Sequence, residues 1–137
     1  MGAFLTPMIV RFRDLDAMGH VNNAVYFTYF EEGRKFFFYQ IYHVMDPSSF
    51  EFILAHISCD YLKPANLASA LVLKIWVEEI GRKSFNLGYR LVDETDPSIV
   101  YAKAESVQVC YDYTNGKSIE VSESLKNKLV EYQILDS

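Results

Sequence analysis

Two carboxylates, a glycine, a histidine and a pair of asparagines crowd into DLDAMGHVNN, residues 14 to 23. Each type brings a distinct capability. Carboxylates attack electrophiles or take protons. Asparagines cap helices, and a helix start presents unpaired N–H groups with a partial positive charge. Glycine lets a short loop fold tightly. Asp16 is the candidate reactive carboxylate; read on its own it would only cap a turn in a glycine-containing loop. Asp14 reads as a loop-bonding partner, although its spacing from Asp16 also suits a two-carboxylate site. His20 reads either as a general acid or as a structural histidine bonding loop carbonyls. No carboxylate partner for it is evident in the sequence.

The elements on either side must position this chemistry. MIVRFR, residues 8 to 13, alternates like a strand. Residues 24 to 43 read as a helix whose stripe is Tyr26, Phe30, Gly33, Phe37 and Ile41. A glycine inside a helix costs about 1 kcal/mol relative to alanine. Its place on the apolar stripe points to a close approach against a sheet. MDPSS, 45 to 49, breaks the helix. Strand-like runs follow at 52 to 62, 70 to 80, 84 to 94 and 99 to 113, joined mostly by short turns. A second helix is predicted over SESLKNKLVEYQIL, 122 to 135, with Ser122 as its N-cap and Leu125, Leu129 and Tyr132 as its buried stripe. Consecutive strands with tight turns make an antiparallel sheet. One long helix against it gives an α+β two-layer arrangement. A single helix leaves part of such a sheet uncovered, so self-association through an apolar surface or a strand edge is expected, with two-fold symmetry the commonest form.

Composition removes several function classes. A chain of 137 residues suits one domain, 1–137, with a sizeable core. Half the residues are hydrophobic, which opposes wholesale disorder. A net charge of −5 opposes broad nucleic-acid binding and adhesion to anionic membranes. No apolar run reaches spanning length and no secretion signal is evident, so a cytoplasmic location is expected. MGAFLT fits a loose myristoylation pattern through Gly2 and Thr6, but reads as a short arm into the first strand. Cys59 and Cys110 lack CxxC spacing and read as reduced, semi-buried thiols. No cluster has metal-ligand spacing, so no metal is expected, and no GxGxxG or P-loop is present. His56, Ser58 and Asp60 alternate along one strand and read as a polar face. KFFFYQ, 35 to 40, could line an apolar ligand pocket, though core packing is the default reading.

RFRDLDAMGHVNNAVYFTYFEEGR resembles the signature of the 4-hydroxybenzoyl-CoA thioesterase family, which has the hotdog fold. The matching elements are Asp16, Gly19, the HVNN of 20 to 23, Tyr26 and Glu31–Glu32. DYLKPA and EIGRKSF also look like family segments, and the resemblance spans residues 8 to about 121. Gly33 departs from it, standing where many relatives carry alanine. The resemblance implies a long helix wrapped by a curved antiparallel sheet of about five strands. It further implies an acyl-CoA thioesterase working as a homodimer or homotetramer, with its site where subunits meet.

Thioester hydrolysis makes modest demands. The leaving thiol has a pKa of roughly 8.5 and departs with little acid assistance. An activated attacker and a stabilised oxyanion suffice. The resemblance gives Asp16 the attack, as nucleophile or as a base on water; the sequence does not choose. It places the backbone N–H of Asn23 against the thioester oxygen, with Gly19 folding the loop and His20 beside it. It counts Tyr26 among the substrate-binding positions. Arg82 and Lys83, and more weakly Lys63, would hold coenzyme A phosphates, and Ser84 would bond the pantetheine arm or simply start a strand. Coenzyme A enters as part of the substrate and no cofactor is expected. Two rivals remain at this stage: a thioesterase acting on acyl carrier protein, and a non-catalytic module that binds acyl thioesters.

Overall fold

A computed structural model describes residues 2–43 and 50–134. Its elements are β1 (Phe4–Met8), a 3-10 turn (Phe12–Asp14), α1 (Asn23–Tyr42), β2 (Phe52–Tyr61), β3 (Leu71–Ile80), β4 (Ser84–Asp93), β5 (Val100–Asp112), β6 (Lys117–Ser118) and α2 (Glu123–Val130). The main strands run β1-β3-β4-β5-β2, each antiparallel to its neighbours, and β6 pairs with β5. This is a hotdog fold: one long helix against a single antiparallel sheet.

The helix stripe read from periodicity is the buried face. Tyr26, Phe30, Gly33, Phe37 and Ile41 are all buried. The sheet answers with Leu73, Ile75, Leu87, Tyr89 and Leu91, each fully enclosed. Phe37 and Phe38 of KFFFYQ belong to this core, and Phe38 packs on Phe52 with ring centroids 4.2 Å apart. Gly33 marks the close approach expected of it. A methyl group there would collide with the Leu73 side chain and sit 3.1 Å from Ile75 Cδ1.

Four strands and α1 lie within about a residue of the sequence expectation, but the first strand and the end of α2 do not: α2 stops at Val130, and Gln133 forms a bridge to Val77 instead of continuing the helix. The 8–13 reading is corrected to Phe4–Met8. Its alternation is real, since Met8 and Val10 are buried between exposed neighbours. The ladder nevertheless stops at the Met8–Leu71 pair, because β3 begins at Leu71. Beyond it the chain coils into the 3-10 turn, and Phe12 stands 81% exposed. Pro7 lies within β1, which is tolerable because β1 is an edge strand. The predicted break at MDPSS lies outside the described residues.

Most other expectations are met. Ser122 caps α2, accepting from the Leu125 N–H at 3.1 Å. Leu125 and Leu129 are buried, but Tyr132 departs from the expected stripe: it lies past the end of the helix, half-buried and edge-on to Phe37. His56, Ser58 and Asp60 are exposed, as a polar face requires. Cys59 and Cys110 are both free thiols. Alternation with Leu73 and Ile75 sends Trp76 to the face away from α1, where it lies opposite Gly88 beneath the Arg90 guanidinium. No helix among the described residues is long and apolar enough to cross a membrane.

The sign of one substitution tests the contact at Gly33. Alanine would gain about 1 kcal/mol of helix propensity. Overpacking against Leu73 costs about 1–3 kcal/mol. Gly33→Ala is therefore expected to lower the melting temperature; a rise would show that Leu73 can swing aside freely.

Candidate functional site

The site is assembled by hydrogen bonds within residues 11–22 and by the helix that follows. Asp14 closes the 3-10 turn, its carboxylate accepting from the Arg11 N–H at 2.9 Å. Asp16 then starts a tight loop. Its N–H donates to the His20 carbonyl at 2.7 Å, and its carbonyl accepts from Gly19 at 3.1 Å. Its Oδ1 accepts from the Met18 N–H at 2.9 Å and the His20 N–H at 3.1 Å. Gly19 has φ +80°, a conformation that side chains resist, so the glycine is needed for this loop. Oδ2 of Asp16 has no hydrogen-bond partner among the described residues.

Val21 leaves the loop by donating to the Ala65 carbonyl at 2.8 Å. Asn22 is the N-cap of α1, and its side chain accepts from the Ala24 N–H at 2.9 Å. The Val25 N–H reaches the Asn22 carbonyl at 2.9 Å. The Asn23 N–H has no acceptor among the described residues. Tyr61, at the end of β2, donates its hydroxyl to the Asn23 carbonyl at 2.8 Å and so ties the first turn of the helix to the sheet.

Asp16, His20, Asn23, Tyr26 and Lys63 line one open cleft of about 260 Å³, together with Val21, Tyr61, Leu62 and Pro64. Its walls thus carry a carboxylate oxygen, a helix start and a lysine. Burial raises the Tyr26 phenol above its usual range, so it is a neutral hydroxyl at pH 7. The His20 side chain is exposed and unbonded among the described residues; the bonds that brace the loop come from its backbone. Among the described residues no cluster of three His, Cys, Asp or Glu is placed to hold a metal ion.

Arg82, Lys83 and Ser84 are not brought to this cleft within one chain. They occupy the β3–β4 turn, closed by the Gly81 N–H donating to the Ser84 carbonyl at 2.7 Å. The cleft loop follows β1, which ends beside Leu71, and the turn follows Ile80 at the other end of β3. Ten extended residues separate the two ends by about 30 Å. Ser84 begins β4, the simpler of its two readings. Sequence reasoning missed Tyr61 as a site residue. It sits in an alternating run where nothing distinguishes a cleft tyrosine from a core one.

The model of a protein family described as the thioesterase-like superfamily matches residues 10–129. The chain belongs to that superfamily. The match covers the cleft loop, α1 and the whole sheet apart from β1, and it makes the chain a thioester hydrolase. It is a wider group than the 4-hydroxybenzoyl-CoA family that the motif resembles. Among its relatives, the long-chain acyl-CoA thioesterase FadM of Escherichia coli is 29% identical over 126 residues, covering 90% of this chain and 95% of the relative. A thioesterase of Thermus thermophilus, solved in complex with coenzyme A and Zn, superposes with TM-score 0.81 at 27% identity, over 93% of this chain and 92% of that one. A predicted thioesterase from Bacillus stearothermophilus reaches TM-score 0.89 over 98% and 99%, at 21% identity, which speaks to the fold.

Helix capping at the cleft gives a direct measurement. Asn22→Ala removes the acceptor for the Ala24 N–H and is expected to cost about 1 kcal/mol of stability in denaturant unfolding. An unchanged midpoint would show that solvent caps the helix equally well.

Proposed function

We propose that this protein hydrolyses acyl-CoA thioesters to the free acid and coenzyme A, with Asp16 supplying the attack and the start of α1 stabilising the oxyanion. One observation carries the reading. Asp16, whose carboxylate has one oxygen unbonded, and Asn23, whose backbone N–H has no acceptor among the described residues, line the same cleft.

Oδ1 of Asp16 is held by two backbone N–H groups, which fix the carboxylate and leave Oδ2 to react. Attack by Oδ2 on the thioester carbonyl gives a mixed anhydride and releases the coenzyme A thiolate; water then hydrolyses the anhydride. Alternatively, Oδ2 takes a proton from water as that water attacks the carbonyl. Both routes place negative charge on the carbonyl oxygen. A helix start is a suitable donor for it, since its N–H groups are already oriented and lack intrahelical partners. His20 and Tyr26 border the cleft as substrate contacts. The reading requires no cofactor beyond the coenzyme A of the substrate, and the coenzyme A complex of the Thermus relative and the name of FadM favour that carrier.

A second copy would account for the position of the basic turn. β2 is an edge strand, bonded among the described residues only to β5, and Ile53, Leu54 and Tyr61 along it are partly exposed. Pairing two β2 edges about a two-fold axis makes them antiparallel. The Phe52 end of one then lies beside the Tyr61 end of the other. The β3–β4 turn lies at the Phe52 end, because Phe52 pairs with Cys110 and Ser84 with Val109. Arg82 and Lys83 of the second copy would thus approach the cleft of the first, where they could hold the coenzyme A phosphates with Lys63. This is a homodimer with composite sites, and a homotetramer would be built from two of them.

Two measurements test the reading. Coenzyme A release from a panel of acyl-CoAs is expected to fall on the order of 10²–10⁴-fold in Asp16→Asn. Equal rates would remove Asp16 from the mechanism. Replacing Arg82 and Lys83 with alanine is expected to raise KM with little change in kcat, the pattern of lost ground-state binding. An unchanged KM would place the phosphates elsewhere.

A further inference from the structure

We propose that Asp14 and Tyr29 form a positioning pair that sets the start of α1 against the carboxylate of Asp16. The inference rests on the thioesterase reading of the cleft and adds two residues that do not line it.

Asp14 is 6% exposed. A buried carboxylate is costly unless its bonds are satisfied. Its Oδ2 accepts from the Arg11 N–H at 2.9 Å and from the Tyr29 hydroxyl at 2.7 Å. No cation lies within salt-bridge reach of it among the described residues, where Arg11 pairs with Glu32 at 3.7 Å instead. For stability alone, two apolar side chains would serve as well. What a hydrogen-bonded pair supplies is a fixed geometry.

That geometry has two points. The Asp14 carbonyl accepts from the N–H of Asn22, the N-cap, at 2.8 Å. Its carboxylate meets Tyr29, six residues into the helix and therefore about 9 Å along its axis. One contact would fix a distance and leave the helix free to turn. Contacts at two heights fix rotation and translation together. Asp16 lies only two residues further on, so the group that attacks and the helix that donates share one anchor. Tyr29 is almost fully enclosed. Burial, and then its bond to Asp14, raise its phenol well above the ordinary value, so it remains a proton donor across the working pH range.

The pair makes a demand that a charge-based role would not. An asparagine at 14 keeps an oxygen acceptor for both bonds; an alanine does not. Tyr29→Phe removes only the hydroxyl. On acyl-CoA, Tyr29→Phe and Asp14→Ala are expected to lower kcat on the order of tenfold to a hundredfold, since small misplacements are costly. KM is expected to stay within about twofold, and Asp14→Asn to restore most of the rate. Wild-type kcat in Tyr29→Phe would overturn the proposal. So would equal losses in Asp14→Asn and Asp14→Ala, which would make the charge itself the requirement. Circular dichroism confirms that each variant is folded; should Asp14→Ala fail to fold, Tyr29→Phe decides. Asp16→Asn belongs in the same series. Full activity there defeats the underlying thioesterase mechanism, whereas its loss alongside an unaffected Tyr29→Phe defeats only the pairing.

Discussion

The near-contact of α1 with the sheet at Gly33 governs the rest of the molecule. The helix contributes no side chain there, so its backbone packs directly on the side chains of Leu73 and Ile75. A helix seated so closely cannot shift sideways without collision, and protein interiors do not deform continuously. Its first turn is therefore delivered to one place, beside the loop that carries Asp16. The cleft is the space left between that turn, the loop and the end of β2.

Polar groups then refine what packing has fixed coarsely. The Asn22 cap and the Tyr61 bond at Asn23 hold the first turn from two sides. The loop is closed on itself through Asp16 and His20: the Asp16 N–H donates to the His20 carbonyl and the His20 N–H to the Asp16 carboxylate. Most of the strong polar partners in the region are thus consumed in holding shape. Oδ2 of Asp16 and the Asn23 N–H are among the groups left without a partner in the described residues. In this sense the cleft's free groups are a remainder after structural needs are met.

Much of this was legible in the sequence, for local reasons. The α1 stripe follows from a 3.6-residue period, and Gly33 drew notice because glycine is costly in a helix. DLDAMGHVNN was conspicuous because its polarity interrupts two apolar elements. Position along a ladder was less legible. The alternation of residues 8 to 13 reported burial correctly, but pairing depends on where a strand sixty residues later begins. Arg82 and Lys83 show a second kind of blindness. Their charge and turn were readable, but their place at the far end of the sheet depends on the path of β3. Tyr29 was silent for a third reason: a buried hydroxyl fifteen residues from its acceptor leaves no periodic trace.

The far face of the sheet has a practical consequence. The protein contains one tryptophan, and Trp76 lies across the sheet from α1 and the cleft, covered by Arg90 and almost shut off from water. Its indole emission is therefore a probe of sheet integrity. It should stay constant through a titration with substrate or product and change when the strands separate, so the native fluorophore can follow unfolding without interference from occupancy of the cleft.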